Sequence, residues 1–150
     1  MPFSFHFDEG TKMFHVEAIG EVNDVQLIDL HNRLHREPAF MACYPIVCDF
    51  AAVTEVLISS SLIELLAKTA RPRTNFVAVI APGAVAFGLA RMYQIISDPE
   101  DARINVFPEA REALVWLGMK CAARESSVRA NLPTGEYFSE LMNPRQSPPR

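Results

Sequence analysis

Residues 46–50, Ile46-Val47-Cys48-Asp49-Phe50, are apolar at four of five positions. Successive side chains of a strand point to opposite faces, so a nearly unbroken apolar run needs cover on both sides. With Tyr44 leading in, residues 44–50 read as a buried central strand. A loop follows, then a helix opened by Ser59, Ser60 and Ser61, with Leu62, Leu65, Leu66 and Thr69 as its inner stripe. A two-sided strand that feeds a helix restricts the chain to α/β architectures. Asp49 breaks the run near the strand's carboxyl end, where open α/β sheets place their sites. It is a candidate for orienting a ligand, although such a carboxylate also readily accepts N–H groups of its own loop.

The rest of the chain falls in around this unit. Phe3, Phe5 and Phe7 alternate with polar residues, and Phe14, Val16 and Ala18 repeat the pattern over residues 12–19. A two-residue type II′ turn at Gly10-Thr11 would set Phe7 opposite Phe14, Phe5 opposite Val16 and His6 opposite His15, whereas a longer loop over Asp8–Lys12 is expected to shift that pairing. Gly20 is expected to close this hairpin. Asn23 or Asp24 can cap a helix to about residue 37, Asn23 with Gln26 making a capping-box-like pair, with Leu27, Leu30 and Leu34 buried and Pro38 forcing the exit. Residues 75–81 predict a second buried strand, and residues 84–97 a helix with Val85, Leu89, Met92 and Ile96 inward. A short strand over 103–107 precedes a helix started by Pro108, lined by Ala110, Ala113, Leu114 and Leu117, and ended by Gly118 at C′.

The order is ββαβαβαβα, an α/β domain with a mixed, mostly parallel sheet of about five strands flanked by helices. Loss of periodicity after Gly118 divides the chain into a domain over residues 1–118 and an extension over 119–150. In the extension, Leu132, Tyr137, Phe138, Leu141 and Met142 can dock as a short helix, and residues 143–150, rich in Pro, Ser and Arg, are expected to be disordered.

Composition removes several functional classes. With 14 basic and 18 acidic residues the net charge is −4, not the basic balance of a nucleic-acid binder. No apolar run approaches the roughly 20 residues of a transmembrane helix, and the first ten residues lack the regions of a signal peptide. Three cysteines without CxxC spacing fit a reduced, cytoplasmic setting.

Four stretches carry a family resemblance: AIGEVND after the hairpin, IVCDFAAVTEV, FGLARMYQ and VFPEAREALVWL. Together they resemble the STAS superfamily, and within it the SpoIIAA-like branch also described as STAS/SEC14-like. The resemblance implies a mixed sheet flanked by helices and a non-catalytic role in binding or regulation. A protein partner at the start of the second helix and a homodimer are the associations it suggests. In anti-sigma-factor antagonists of this superfamily a serine at that helix start is phosphorylated. Ser59, Ser60 and Leu62 match the family pattern here, whereas Ile58 replaces its aspartate and Ser61 its glycine.

The serines have two physical readings. A phosphate at a helix amino terminus meets unpaired N–H groups and the positive end of the helix dipole. Alternatively Ser61 and Glu64 complete an S-x-x-E capping box, which outweighs a phosphoacceptor given the departures above. The SEC14-like side of the resemblance implies a small-molecule or lipid ligand and peripheral membrane association. The helix over 84–97 would then offer Phe87 and Met92 as groove walls, with Arg91 holding an anionic head group at the mouth, or simply covering apolar surface with its stem. His31 and His35 stand at i and i+4 but lack the glutamate of a zincin motif, and no Ser-His-Asp set, P-loop or GxGxxG is present. No metal, cofactor or catalytic residue is expected.

Overall fold

The computed structural model describes residues 2–41, 44–70, 75–100 and 103–130. Five strands form one sheet in the order β1-β2-β3-β4-β5: β1 (Phe3–Asp8), β2 (Met13–Asn23), β3 (Ile46–Leu57), β4 (Val77–Ile80) and β5 (Ile104–Phe107). Only β1 is antiparallel to its neighbour; the other pairings are parallel. The helices are α1 (Asp24–Leu34), α2 (Pro38–Met41), α3 (Ser60–Thr69), α4 (Ala84–Ser97) and α5 (Ala110–Ala130). The short α2 is an addition to the expected order, because Pro38 begins a helical turn as well as ending the one before. A proline suits a first helical position, where its missing N–H costs nothing.

The hairpin register is the expected one: Phe7 opposite Phe14, Phe5 opposite Val16, His6 opposite His15. The turn is not. The left-handed residue is Lys12 (φ 56°), and the loop is a four-residue one from Glu9 to Lys12. Asp8 organises it by accepting N–H bonds from Gly10 at 2.8 Å and Thr11 at 3.4 Å. These bonds hold the Asp8 carboxyl below its usual pKa. Since two- and four-residue loops keep the same pairing parity, the register survives the change of turn.

Both central strands run further than expected. β2 continues through Gly20 to Asn23, and β3 continues to Leu57 where a loop was anticipated. The added lengths pair with each other, Val22 with Val56 and Asn23 with Leu57, after register shifts between Glu17 and Ile19 and between Gly20 and Glu21. Gly20 therefore sits at a bulge inside a strand instead of closing the hairpin. Its φ of 77° reserves the position for glycine on backbone grounds alone, because a Cβ there would meet no neighbouring atom within 4 Å and space is not the constraint. Past Ala18 on one side and Asp49 on the other, these strands lose their outer neighbours and form a two-stranded parallel ribbon.

The sheet has two differently covered faces. On one, Phe14, Val16, Ile46, Val77, Val79, Ile104 and Val106 form the main core beneath α1 and α4. On the other, Val47, Ala78 and Ile80 meet Ala113 and Leu117 of α5, flanked by Phe76, Phe107 and Trp116. That helix continues through Gly118 to Ala130, so Gly118 is an interior residue and not the C′ position. Leu114 and Ala110 are exposed, leaving Ala113 and Leu117 as the inner face. The expectations for Leu132, Tyr137, Phe138, Leu141 and Met142 and for residues 143–150 lie outside the described residues.

Candidate functional site

The two helices that emerge from the ribbon start side by side, because β2 and β3 end in register. Asn23 caps α1: its side chain accepts from Gln26 N at 3.0 Å while Gln26 Oε1 accepts from Asn23 N at 2.9 Å. Ser59 caps α3, its hydroxyl accepting from Leu62 N at 3.2 Å. Asp24, the first residue of α1, ties the two ends together: it accepts the Ser59 N–H and the Ser59 hydroxyl, each at 2.7 Å. The capping serine is thus Ser59 and not Ser61. Glu64, expected to complete Ser61's box, pairs with Lys68 one turn on, and that ammonium lowers its carboxyl pKa. Ser60 and Ser61 are exposed in the first turn of α3.

Behind these helix starts α3 turns Ile63 and Ala67 inward, while Leu65 is 58% exposed, a rotation away from the expected stripe of Leu62, Leu65, Leu66 and Thr69. The helix α4 is rotated as well. Val85 is 60% exposed, and the residues packed on the core are Ala86, Phe87, Ala90 and Tyr93. Gln94 is 1% exposed, with its Nε2 donating to Ile104 O at 2.8 Å and its Oε1 accepting from Arg91 Nη1 at 2.6 Å. Small alanines on the inner face let α4 approach β5 closely, and Gln94 then anchors the helix to a strand carbonyl.

Between the sheet and the helices lies a cavity of about 190 Å³. Its floor is Val16, Ile46, Cys48, Val77 and Val79. One wall is Leu27, Leu30, His31 and Leu34 of α1, with Phe40 beside them; the opposite wall is Ala86, Leu89, Ala90 and Tyr93 of α4. The ribbon contributes Phe50, Val53 and Val56, and α3 contributes Ile63 and Leu66. Among the described residues the lining includes no Asp, Glu, Lys or Arg, and its polar side chains are His31, Tyr93 and the Cys48 thiol. Even engineered apolar voids of about 150 Å³ stay dry and take up benzene. This one is larger and similarly apolar, and it is partly open to solvent.

The residues singled out in the sequence divide sharply by place. Asp49 belongs to the other face of the sheet, since its neighbours in sequence Cys48 and Phe50 both line the cavity; its carboxylate accepts the Ala51 N–H at 2.9 Å, the bond to its own backbone weighed above. Phe87, Arg91 and Met92 are half-buried on α4 and are not among the cavity-lining residues; Phe87 packs on the core and Arg91 is held to Gln94. The structure does not bring Asp49, Phe87, Arg91 and Met92 together around one opening. His31 lines the cavity, and its carbonyl is 2.8 Å from His35 Nδ1. His6 and His15 stack at 5.0 Å on the open part of the opposite face. Among the described residues no three His, Cys, Asp or Glu side chains converge as a metal site requires, and no helix is long and apolar enough to cross a membrane.

The cavity itself was not read from the sequence, which named only part of its lining in other roles. The available signal was Leu27, Leu30 and Leu34 facing the small residues Ala86 and Ala90, large residues on one helix opposite small ones on another.

No family model matches the chain, and no curated protein does. Among solved structures, it is similar to the crystal structure of an uncharacterized protein of the DUF3478 family, with a SpoIIAA-like fold, from Shewanella loihica PV-4. The identity is 15%, the match covers 77% of this chain and 91% of that one, and the TM-score is 0.50. At that identity the likeness is one of fold. With its five-stranded mixed sheet flanked by helices, the chain has a SpoIIAA-like α/β fold.

Proposed function

We propose that the chain is a non-catalytic binding module whose ligand is a small apolar molecule held between the sheet and α1, α3 and α4. The observation that carries this reading is the 190 Å³ cavity with its apolar lining. Protein interiors ordinarily pack to about the density of organic crystals, and a void of this size forfeits the contacts its lining could make. An apolar ligand restores those contacts and removes its own surface from water. Regulation follows the same geometry: a ligand that fills the space under α1 and α3 stiffens the surface on which their starts lie, where a partner would read it.

A thermal-shift and native mass spectrometry screen of the full chain against hydrophobes of varied length and charge tests the proposal. Binding by some member, weakened in Ala90→Leu with the fold retained, is the expected result. If Ala90→Leu does not fold, Ala86→Val is the smaller filler. Failure of every hydrophobe to bind removes the proposal.

A second reading, a protein-docking surface at the start of α3, is favoured by the exposure of Leu57 and Leu65 beside the exposed Ser60 and Ser61. Alanine at Ser60 and Ser61 leaves the cap at Ser59 intact, so loss of a pulled-down partner in that double variant, at unchanged Tm, would report on this surface.

A further inference from the structure

We infer that the ligand of this cavity is an uncharged hydrophobe of about eight non-hydrogen atoms, a short-chain alcohol or a single substituted ring, and not a long-chain or ionised lipid. The inference rests on the reading of the cavity as a binding site and adds the chemical class. Two observations carry it. The first is charge: among the described residues no carboxylate, ammonium or guanidinium lines the space. An isolated ion moved into such surroundings loses its hydration without a compensating partner, a cost that excludes an ionised carboxylate or phosphate. Arg91, the cation of α4, is not in the wall and is hydrogen-bonded to Gln94, itself fastened to Ile104. A neutral hydroxyl or carbonyl costs far less than an ion to bring into the same surroundings.

The second observation is size. If about 150 Å³ accommodates the six carbons of benzene, then 190 Å³ scales to about eight non-hydrogen atoms. A chain of twelve or more carbons would have to leave its far end in water or push helices apart. The same short hydrophobe could also arrive as the tip of a longer neutral chain, and length dependence separates the two sources.

The test is titration of the full chain at pH 8, where an ordinary imidazole is neutral and octanoate fully ionised, with primary alcohols from butanol to tetradecanol, with toluene and with octanoate. Affinity is expected to rise about fourfold per added methylene up to octanol, then to level off or fall, with octanoate at least tenfold weaker than octanol. In Ala90→Leu, which places extra carbon in the α4 wall, the best alcohol should become shorter. Modification of Cys48 by methyl methanethiosulfonate, followed by mass spectrometry of the peptide that contains it, should slow when octanol is bound. Continued gain to tetradecanol, octanoate binding as tightly as octanol, or an unchanged optimum in a folded Ala90→Leu each overturns the inference while leaving a binding module in place. Absence of binding by all probes overturns both.

Discussion

On one face of the sheet, among the described residues, α5 alone closes over Val47, Ala78 and Ile80, and its Ala113 and Leu117 are both 0% exposed. On the other face three helices share the cover and leave space for a small molecule. The larger number of covering elements gives the looser packing. The tight side needs two small or flexible residues, Ala113 to let the helix approach and Leu117 to fill what is left, with Trp116 sealing the edge against Phe107 at 5.7 Å and Phe76 at 6.3 Å. The loose side has to satisfy three helix axes at once, and its leucines and alanines meet across a gap that neither spans. The sealed and the hollow side thus lie on opposite sides of the same strands: Val47 belongs to the sealed face and its neighbours Ile46 and Cys48 to the open one.

Truncation on the sealed side should cost most. Leu117→Ala removes a side chain with packing on all sides and is expected to destabilise by about 4 kcal/mol. Leu30→Ala, on a side chain that already borders empty space, should cost about 2 kcal/mol, because fewer contacts are lost. Urea denaturation of the two variants would break the comparison if the order were reversed. Next come the caps that hold the roof of the cavity. Asn23→Ala and Ser59→Ala should each cost about 1 kcal/mol, and both should weaken octanol binding. A substitution of similar cost in the exposed face of α5 should not. Equal weakening by both kinds of change would mean that the cavity responds only to global stability.

The smallest effect is expected at Asp8, which touches neither face. Its folded-state pKa is lowered mainly by the Gly10 N–H and then by the Thr11 N–H. The sign follows: a depressed carboxyl contributes stability above its unfolded pKa and loses it as pH falls through the folded value. Asp8→Ala should therefore be slightly less stable than the parent at neutral pH, with the difference closing below about pH 4. A constant difference across acid titrations of both proteins would show that the loop bonds do not depend on the charge.

Much of the architecture was legible in the sequence because it is encoded by period and punctuation. The alternation of Phe3, Phe5 and Phe7 with Phe14 and Val16 determined the hairpin register, and Asn23 with Gln26 marked the start of α1. The bounds of α4 follow from Pro82-Gly83 before it and Asp98-Pro99 after it. Punctuation misled where it was overridden. Gly20 looked terminal but accommodates a bulge, and Gly118 looked like a C′ residue but is carried by the helix formers around it, at a cost near 1 kcal/mol relative to alanine. The extension of β3 left a trace that went unread: no Gly or Pro lies between Pro45 and Leu57, and Val53, Thr54 and Val56 are β-branched. Helix rotations were missed for another reason. Large apolar residues such as Val85 and Leu65 attract the assignment of an inner face, whereas the inner face of α4 includes the small Ala86 and Ala90. The cavity depends on distances between helices, which no local pattern records.

The ribbon formed by the outer halves of β2 and β3 has a mechanical consequence. Each strand there is bonded to one neighbour instead of two, and both α1 and α3 hang from its far end, joined by the Asp24–Ser59 bonds. Bending at the Gly20 bulge would lift the two helices together, as a lid swings on a single hinge, without breaking either cap. Hydrogen exchange should record the asymmetry: amides in 21–23 and 52–57 should open more often than those in 14–17 and 46–49. A molecule that enters under that lid would slow the first group and leave the second unchanged.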